Sequence, residues 1–230
     1  MLEKSLEYYL KKIIVALDIK DYNRAIDIID KLDFVEIFKI GHPLFLPYGW
    51  KVVEYVKKKG KKVFLDLKLC DIPSVVGKAV RECSVRGVDF LTLHIWGGKE
   101  MLEVALENSN GTKLIGVTVL TSISEIYLKN VLGIDVKDVV VKFAKEALEV
   151  GLWGIVISPN EIDVIKNNFG DKLKMVVPGI KIKTETFDQK RRMGLRDVFK
   201  KNVDYVVIGR EIYQNIDRDI KKFILEAIYG

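Results

Sequence analysis

Residues 63–73 read VFLDLKLCDIP. Val63, Phe64 and Leu65 open an apolar strand, and Asp66, Lys68 and Asp71 then place three charges within six residues, where that strand should end. Two readings compete: a solvated loop that happens to be charged, or a site in which charge is the tool. Burial alone lowers the pKa of a lysine, and two neighbouring carboxylates oppose that shift, so a lysine set between acids stays cationic beside a core. A cation held in this way can stabilise developing negative charge and then deliver a proton. Asp66 and Lys68 are two residues apart, the spacing that puts side chains on one face of a strand.

Other polar residues stand at the ends of apolar runs. Lys39, flanked by Phe38 and Ile40, needs a partner inside so apolar a pattern. Asp18 follows the first run, and taken singly it reads equally as a helix N-cap. His94 reads as a hydrogen-bonded supporting group, Ser158 as a loop or cap residue before Pro159 and Asn160, and Cys70 as a small filler. Thr121 and Ser122 follow the fifth run. Pro178, Gly179 and Lys181 follow the seventh, and Gly209 and Arg210 the eighth. The two glycines let backbone N–H groups approach an anion, and Arg210 adds a charge-assisted grip, a combination suited to phosphate. Four or five charges converging on one rim exceed what capping explains.

The elements that must position these groups form a regular series. Apolar β-branched runs occur at 13–17, 35–40, 62–67, 89–94, 113–119, 154–158, 174–178 and 204–209. Helical patterns lie between them at 21–32, 48–59, 72–87, 98–108, 135–150, 160–169 and 191–201, and a last one closes the chain at 217–228. Continuous apolar strands suit a parallel sheet covered by helices. Eight β-α units without a long linker predict an α/β fold, a TIM (β/α)8 barrel, with chemistry at the C-terminal strand ends. The open doubly wound alternative would carry a glycine-rich turn after its first strand, and DIKDYN offers none.

The chain has 230 residues, 49% of them hydrophobic, enough for one sizeable core and one domain over 1–230. The formal charge of +6 invites a nucleic-acid reading, but 32 acids are interspersed among 38 bases and no Arg-aromatic platform is present. The lysine-rich run at 57–62 sits at the end of a helical pattern, where cations complement the helix dipole. No apolar run approaches the ~18 residues of a membrane span. The first residues, MLEKSLEYYLKK, read as a short N-terminal amphipathic helix rather than a signal peptide. Two cysteines without metal-type spacing point to a reducing cytoplasmic setting.

DLKLCDIP resembles the Asp-x-Lys-x-x-Asp-Ile-Pro signature of the orotidine 5′-phosphate decarboxylase family. ALD (16–18), FKIG (38–41), GVTVLTS (116–122), VPGI (177–180), DQKR (188–191) and VIGR (207–210) fall in the order of that family's other motifs, so the resemblance spans the chain. It implies cofactor-independent, metal-free decarboxylation of orotidine 5′-monophosphate to UMP and CO2, the last step of de novo UMP synthesis. By position, Lys68 protonates C6 of the pyrimidine within a network of Lys39, Asp66, Lys68 and Asp71. The resemblance also implies a homodimer in which Asp71 reaches the neighbouring subunit's site. Asp18 and Lys39 would meet the ribose, Ile72, Pro73, Thr121 and Ser122 the neighbourhood of the base, and Pro178, Lys181, Gln189, Gly209 and Arg210 that of the phosphate. Three positions depart from the family pattern: Lys181 replaces an arginine, Val75 a threonine, and Met193-Gly194-Leu195 a Thr-Pro. The polar segment 181–190 has the length of a loop that closes over phosphate. A related barrel group includes 3-keto-L-gulonate 6-phosphate decarboxylase and hexulose phosphate synthase. It follows the same charged pattern with Ala-Gly and places a metal-binding Glu near the end of strand 2, where this chain has Ile72-Pro73 and Lys39. A non-catalytic nucleotide-binding barrel is the remaining alternative.

Overall fold

A computed structural model describes residues 7–182 and 193–229. Its strands are β1 Ile13–Ala16, β2 Ile37–Gly41, β3 Lys62–Leu69, β4 Phe90–His94, β5 Lys113–Val117, β6 Gly154–Val156, β7 Lys174–Pro178 and β8 Tyr205–Ile208. They are hydrogen-bonded in the order β1 to β8 as a closed parallel barrel, the TIM architecture expected from the alternating runs. β1 and β2 are buried along their whole length, which is why they carry no polar alternation. The N-terminal helix is seen over residues 7–10 and gives way to a turn at residues 11 and 12, and residues 1–6 of that prediction lie outside the described residues. Among the described residues no helix is long and apolar enough to cross a membrane.

Contacts group the chain into two compact units, Met1–Asp66 with Pro178–Gly230, and Leu67–Val177. In the first, β1 lies between β8 and β2, and β2 pairs onward with β3. The register sets Ala16 opposite Lys39, and Gly41 opposite Asp66, so the polar residues of three strands gather at one level. Helix Tyr22–Lys31 covers this unit with Ala25, Ile28 and Ile29. Its N-cap is Asp21, whose carboxylate accepts the Arg24 N–H at 3.0 Å, so capping is not the task of Asp18. In the lysine-rich run, Lys59 pairs with Asp30 at 2.8 Å and Lys62 with Glu36 at 3.5 Å, so part of its charge is balanced on the unit's own surface.

In the second unit β4, β5, β6 and β7 pair in sequence. Two helices that the periodicity did not predict are present, His42–Tyr48 in the first unit and Glu125–Leu132 in the second. β6 ends at Val156, two residues earlier than expected, because Ser158 opens a helical turn over Pro159–Glu161. The Ser158 N–H donates to Glu161 Oε2 at 2.8 Å, in a reciprocal cap that confirms Ser158 as a cap residue.

Burial pushes the Glu161 carboxyl above its ordinary range, its bonds with Ser158 oppose this, and the nearby negative charge of Glu125 raises it further. A carboxyl with a raised folded-state pKa binds its proton more tightly folded than unfolded. Its contribution is most favourable at low pH and is lost as pH rises from the ordinary carboxylate value through the raised one. Glu161→Gln is therefore expected to gain stability relative to the parent chain between about pH 4 and pH 7, on the order of a few degrees in Tm. Thermal melts of both proteins at the two pH values check this, and a pH-independent difference would refute it.

Candidate active site

The register of the first unit assembles an ion cluster. Lys39 Nζ stands 2.9 Å from Asp18 Oδ1 and 3.1 Å from Asp66 Oδ2. Lys39 and Asp66 are buried, whereas the Asp18 side chain keeps 49% of its exposure. Burial works to lower the Lys39 pKa, but the charges of Asp66 and then Asp18, with their hydrogen bonds, outweigh it and hold the ammonium above its ordinary value. A buried lysine on an apolar strand has thus found the partners it requires. Gly41 lies against the cluster: a Cβ there would stand 3.1 Å from Asp18 Oδ1 and 3.5 Å from Lys39 Nζ.

Tyr213, which sequence reasoning passed over, belongs to the same neighbourhood. It is nearly buried, and burial first, then the negative charge of Asp18, push its phenol up, while Arg210 and Lys39 oppose this. Its ring edge would come within 3.8 Å of a Cβ on Gly209, four residues earlier. That i, i+4 step across a helical turn was the signal available in the sequence.

Lys68 and Asp71 belong to the second unit. β3 continues through both Asp66 and Lys68, but its side chains, buried from Val63 to Asp66, become only partly buried at Leu67, Lys68 and Leu69. Lys68 has φ of 49°, in the left-handed region. Its side-chain direction is therefore set by this local turn of the backbone and not by strand alternation alone, which qualifies the expectation drawn from the i, i+2 spacing. The Lys68 N–H donates to Thr92 Oγ1 at 2.9 Å. Asp71 is exposed, and its Oδ1 accepts the neighbouring Ile72 N–H at 2.7 Å. Pro73 begins helix Pro73–Val85, where the missing N–H does no harm. Ile72 is 61% and Val75 43% exposed, so an acid and two apolar side chains face solvent together at this helix entry. Cys70 is also exposed, so it is not the filler the sequence suggested. Cys83 is the buried thiol, pushed up to about 11, mainly by burial and then by Glu82.

Thr121 and Ser122 are exposed on the connection after β5, and His94 ends β4. Among the described residues no group of three or more His, Cys, Asp or Glu is arranged to hold a metal ion.

Back in the first unit, β7 ends at Pro178, and Gly179 follows with φ of 77°, a conformation that favours glycine. The Lys181 N–H donates to the Met193 carbonyl at 3.3 Å and the Leu195 N–H to the Lys181 carbonyl at 2.9 Å. Glu211, also unforeseen, accepts the Ile182 N–H. Gly209 precedes the short helix Arg210–Tyr213, and Arg210 is exposed. Gln189 and most of the expected loop 181–190 lie outside the described residues.

Residues 11–220 match the Orotidine 5′-phosphate decarboxylase / HUMPS family. The chain belongs to this family. It is 42% identical over 215 residues to the orotidine 5′-phosphate decarboxylase of Aquifex aeolicus, covering 90% of this chain and 93% of that one. The Wolbachia enzyme (sp. subsp. Brugia malayi) of the same name is 43% identical over 225 residues, covering 95% and 100% respectively. The crystal structure of the Lactobacillus acidophilus orotidine 5′-phosphate decarboxylase aligns with this family member at a TM-score of 0.82 and 29% identity, over 96% of this chain and 100% of that chain. The structure of the Pyrococcus horikoshii OT3 enzyme, at 24% identity and a TM-score of 0.76, shares the fold.

Proposed function

We propose that this protein decarboxylates orotidine 5′-monophosphate to UMP and CO2 without metal or organic cofactor, as the last step of de novo UMP synthesis. The observation that carries the reading is the cluster of buried Lys39 and Asp66 with half-exposed Asp18, built on a strand that runs on to Lys68 in a member of this family. Loss of CO2 from C6 leaves an electron pair that the pyrimidine ring delocalises poorly. Stabilisation must then come from charges already fixed in place. Lys68 supplies the ammonium beside C6 and then its proton, forming the C6–H bond of UMP. Asp66 and Asp71 flank it. Lys39 anchors the network and, with Asp18, binds the ribose hydroxyls.

Ile72, Pro73, Thr121 and Ser122 serve the base, and Pro178, Gln189, Gly209 and Arg210 the phosphate. Lys181 adds a point charge there in place of a bidentate grip. Binding energy from the remote phosphate is then available to the reacting ring. Association into a homodimer, with Asp71 reaching the neighbouring site, is supported by the exposure of Asp71, Ile72 and Val75 at one helix entry.

A metal-dependent sugar-phosphate reaction, the alternative within the family, is disfavoured by Lys39. A cation already occupies the carboxylates of Asp18 and Asp66, and a lysine cannot help to hold Mg2+. The test is the loss of orotidine 5′-monophosphate absorbance with purified protein, with and without EDTA. Turnover unaffected by EDTA is expected. Turnover abolished by EDTA and restored by Mg2+ would overturn cofactor independence, and no turnover under any condition would favour a binding-only barrel.

A further inference from the structure

We infer that Thr92 is a positioning residue for Lys68: its buried hydroxyl accepts the Lys68 backbone N–H and fixes the left-handed turn of β3 from which the lysine side chain departs. The inference rests on the proposed role of Lys68 as proton donor.

Three non-glycine residues have positive φ among the described residues: Lys68, Asn110 and Asn202. The two asparagines lie in turns, where their short polar side chains tolerate that conformation. Lys68 has no such excuse, since it carries a long side chain and lies within a strand. A residue in so disfavoured a conformation persists only where its surroundings over-determine it, and such residues cluster at functional sites.

Thr92 supplies that determination. It sits at the middle of β4, fully buried, with Oγ1 2.9 Å from the Lys68 nitrogen. The other two buried threonines among the described residues donate to main-chain carbonyls: Thr112 bonds Val88 at 2.8 Å and Thr118 bonds Val156 at 2.9 Å, ordinary ways of satisfying a buried hydroxyl. Thr92 accepts a main-chain N–H, and it does so from the one strand residue, among those described, that is left-handed without being glycine. A hydroxyl acceptor on a β-branched, fully packed side chain has little rotational freedom, so it defines the position of the amide closely. A proton donor must reach its carbon to within a fraction of an ångström, and small misplacements are felt mainly in the chemical step.

The test compares Thr92→Val, which keeps the shape and removes the acceptor, with Thr92→Ser, which keeps the acceptor. Thr92→Ala removes it without added bulk, should valine fold poorly. Measured are kcat and KM for orotidine 5′-monophosphate, the Kd of UMP, and the thermal melt. The expected result is a kcat lower by about 10- to 100-fold in the Val and Ala variants, with KM and the UMP Kd within about twofold. Thr92→Ser is expected to stay within about threefold of the parent in kcat. Full kcat in the Val or Ala variant overturns the inference. So does an equal loss in the Ser variant, or a loss that falls on KM and UMP affinity instead of kcat. Lys68→Ala, run alongside, separates the two levels. Full turnover in that variant removes the proposed role of Lys68 itself, whereas an inactive Lys68→Ala beside a fully active Thr92→Val removes only Thr92.

Discussion

Lys68→Ala is expected to abolish decarboxylation, with turnover falling at least about 10⁴-fold, while the far-UV spectrum and UMP affinity stay close to those of the parent chain. Two losses combine in that figure. The substitution removes the cation that stabilises the developing charge at C6, and it removes the acid that ends the reaction. Binding of the product depends chiefly on ribose and phosphate contacts made elsewhere, so affinity should be nearly indifferent to the change. Turnover comparable to the parent would take Lys68 out of its proposed role. The same variant also tests the shared site. If Asp71 serves the neighbouring subunit, mixing inactive Lys68→Ala and Asp71→Ala chains regenerates one intact site in each mixed dimer. Activity then returns to about a quarter of the parent level after free exchange of subunits. A mixture that stays inactive would show that Asp71 acts within its own chain, or that the chains do not exchange.

The second large effect concerns stability. Lys39→Met leaves the buried Asp66 carboxylate without the ammonium 3.1 Å away. Breaking a buried pair by removing one partner costs about 3–5 kcal/mol, and the half-exposed Asp18, which water can rescue, argues for the lower end. At about 3 kcal/mol a domain of this size should lose about 10 °C in Tm. Adding Asp66→Asn removes the stranded charge, so Lys39→Met/Asp66→Asn should recover much of that loss while remaining inactive. A single variant as stable as the parent, or a double variant no better than the single, would refute the account. The pH dependence has a defined sign. Because the folded-state pKa of Lys39 is raised, its contribution is fully present below the ordinary lysine value of about 10.4 and is lost as pH climbs through the raised value. The stability gap between parent and Lys39→Met should therefore narrow at strongly alkaline pH, and it should narrow in acid as well, where the stranded carboxyl of the variant takes up a proton.

The eight strands were legible because each is a short apolar, β-branched run between polar segments. Closure of those strands into a barrel followed from their number and alternation with helices. Two helices were not legible, for different reasons. His42–Tyr48 carries Pro43 at its start and Pro47 inside, and proline there reads as a break. Glu125–Leu132 had usable signals, since Ser124 accepts the Tyr127 N–H at 3.2 Å and Gly133 closes the helix in a left-handed cap. Its exposed Ile126, Tyr127 and Val131 hid the usual apolar stripe.

At the site, the pairing of Lys39 was foreseeable from its apolar flanks, but its partners required the register of three strands. Asp18 and Asp21 both precede the same helix, and only the folded chain separates the ion-pair partner from the cap. The left-handed backbone of Lys68 leaves no trace in residue type. The usual cue is a glycine or asparagine, and the forces that hold this lysine come from another strand, 24 residues away.

The contrast between the two cysteines has a practical side. Cys83 is buried with its thiolate disfavoured, whereas Cys70 is open to reagents and lies one residue from Asp71. A maleimide is therefore expected to distinguish the two states of this helix entry on unmutated protein. Where the entry is open Cys70 reacts, and where a second copy covers it, as proposed, the reaction slows as protein concentration rises, while Cys83 stays unlabelled in both.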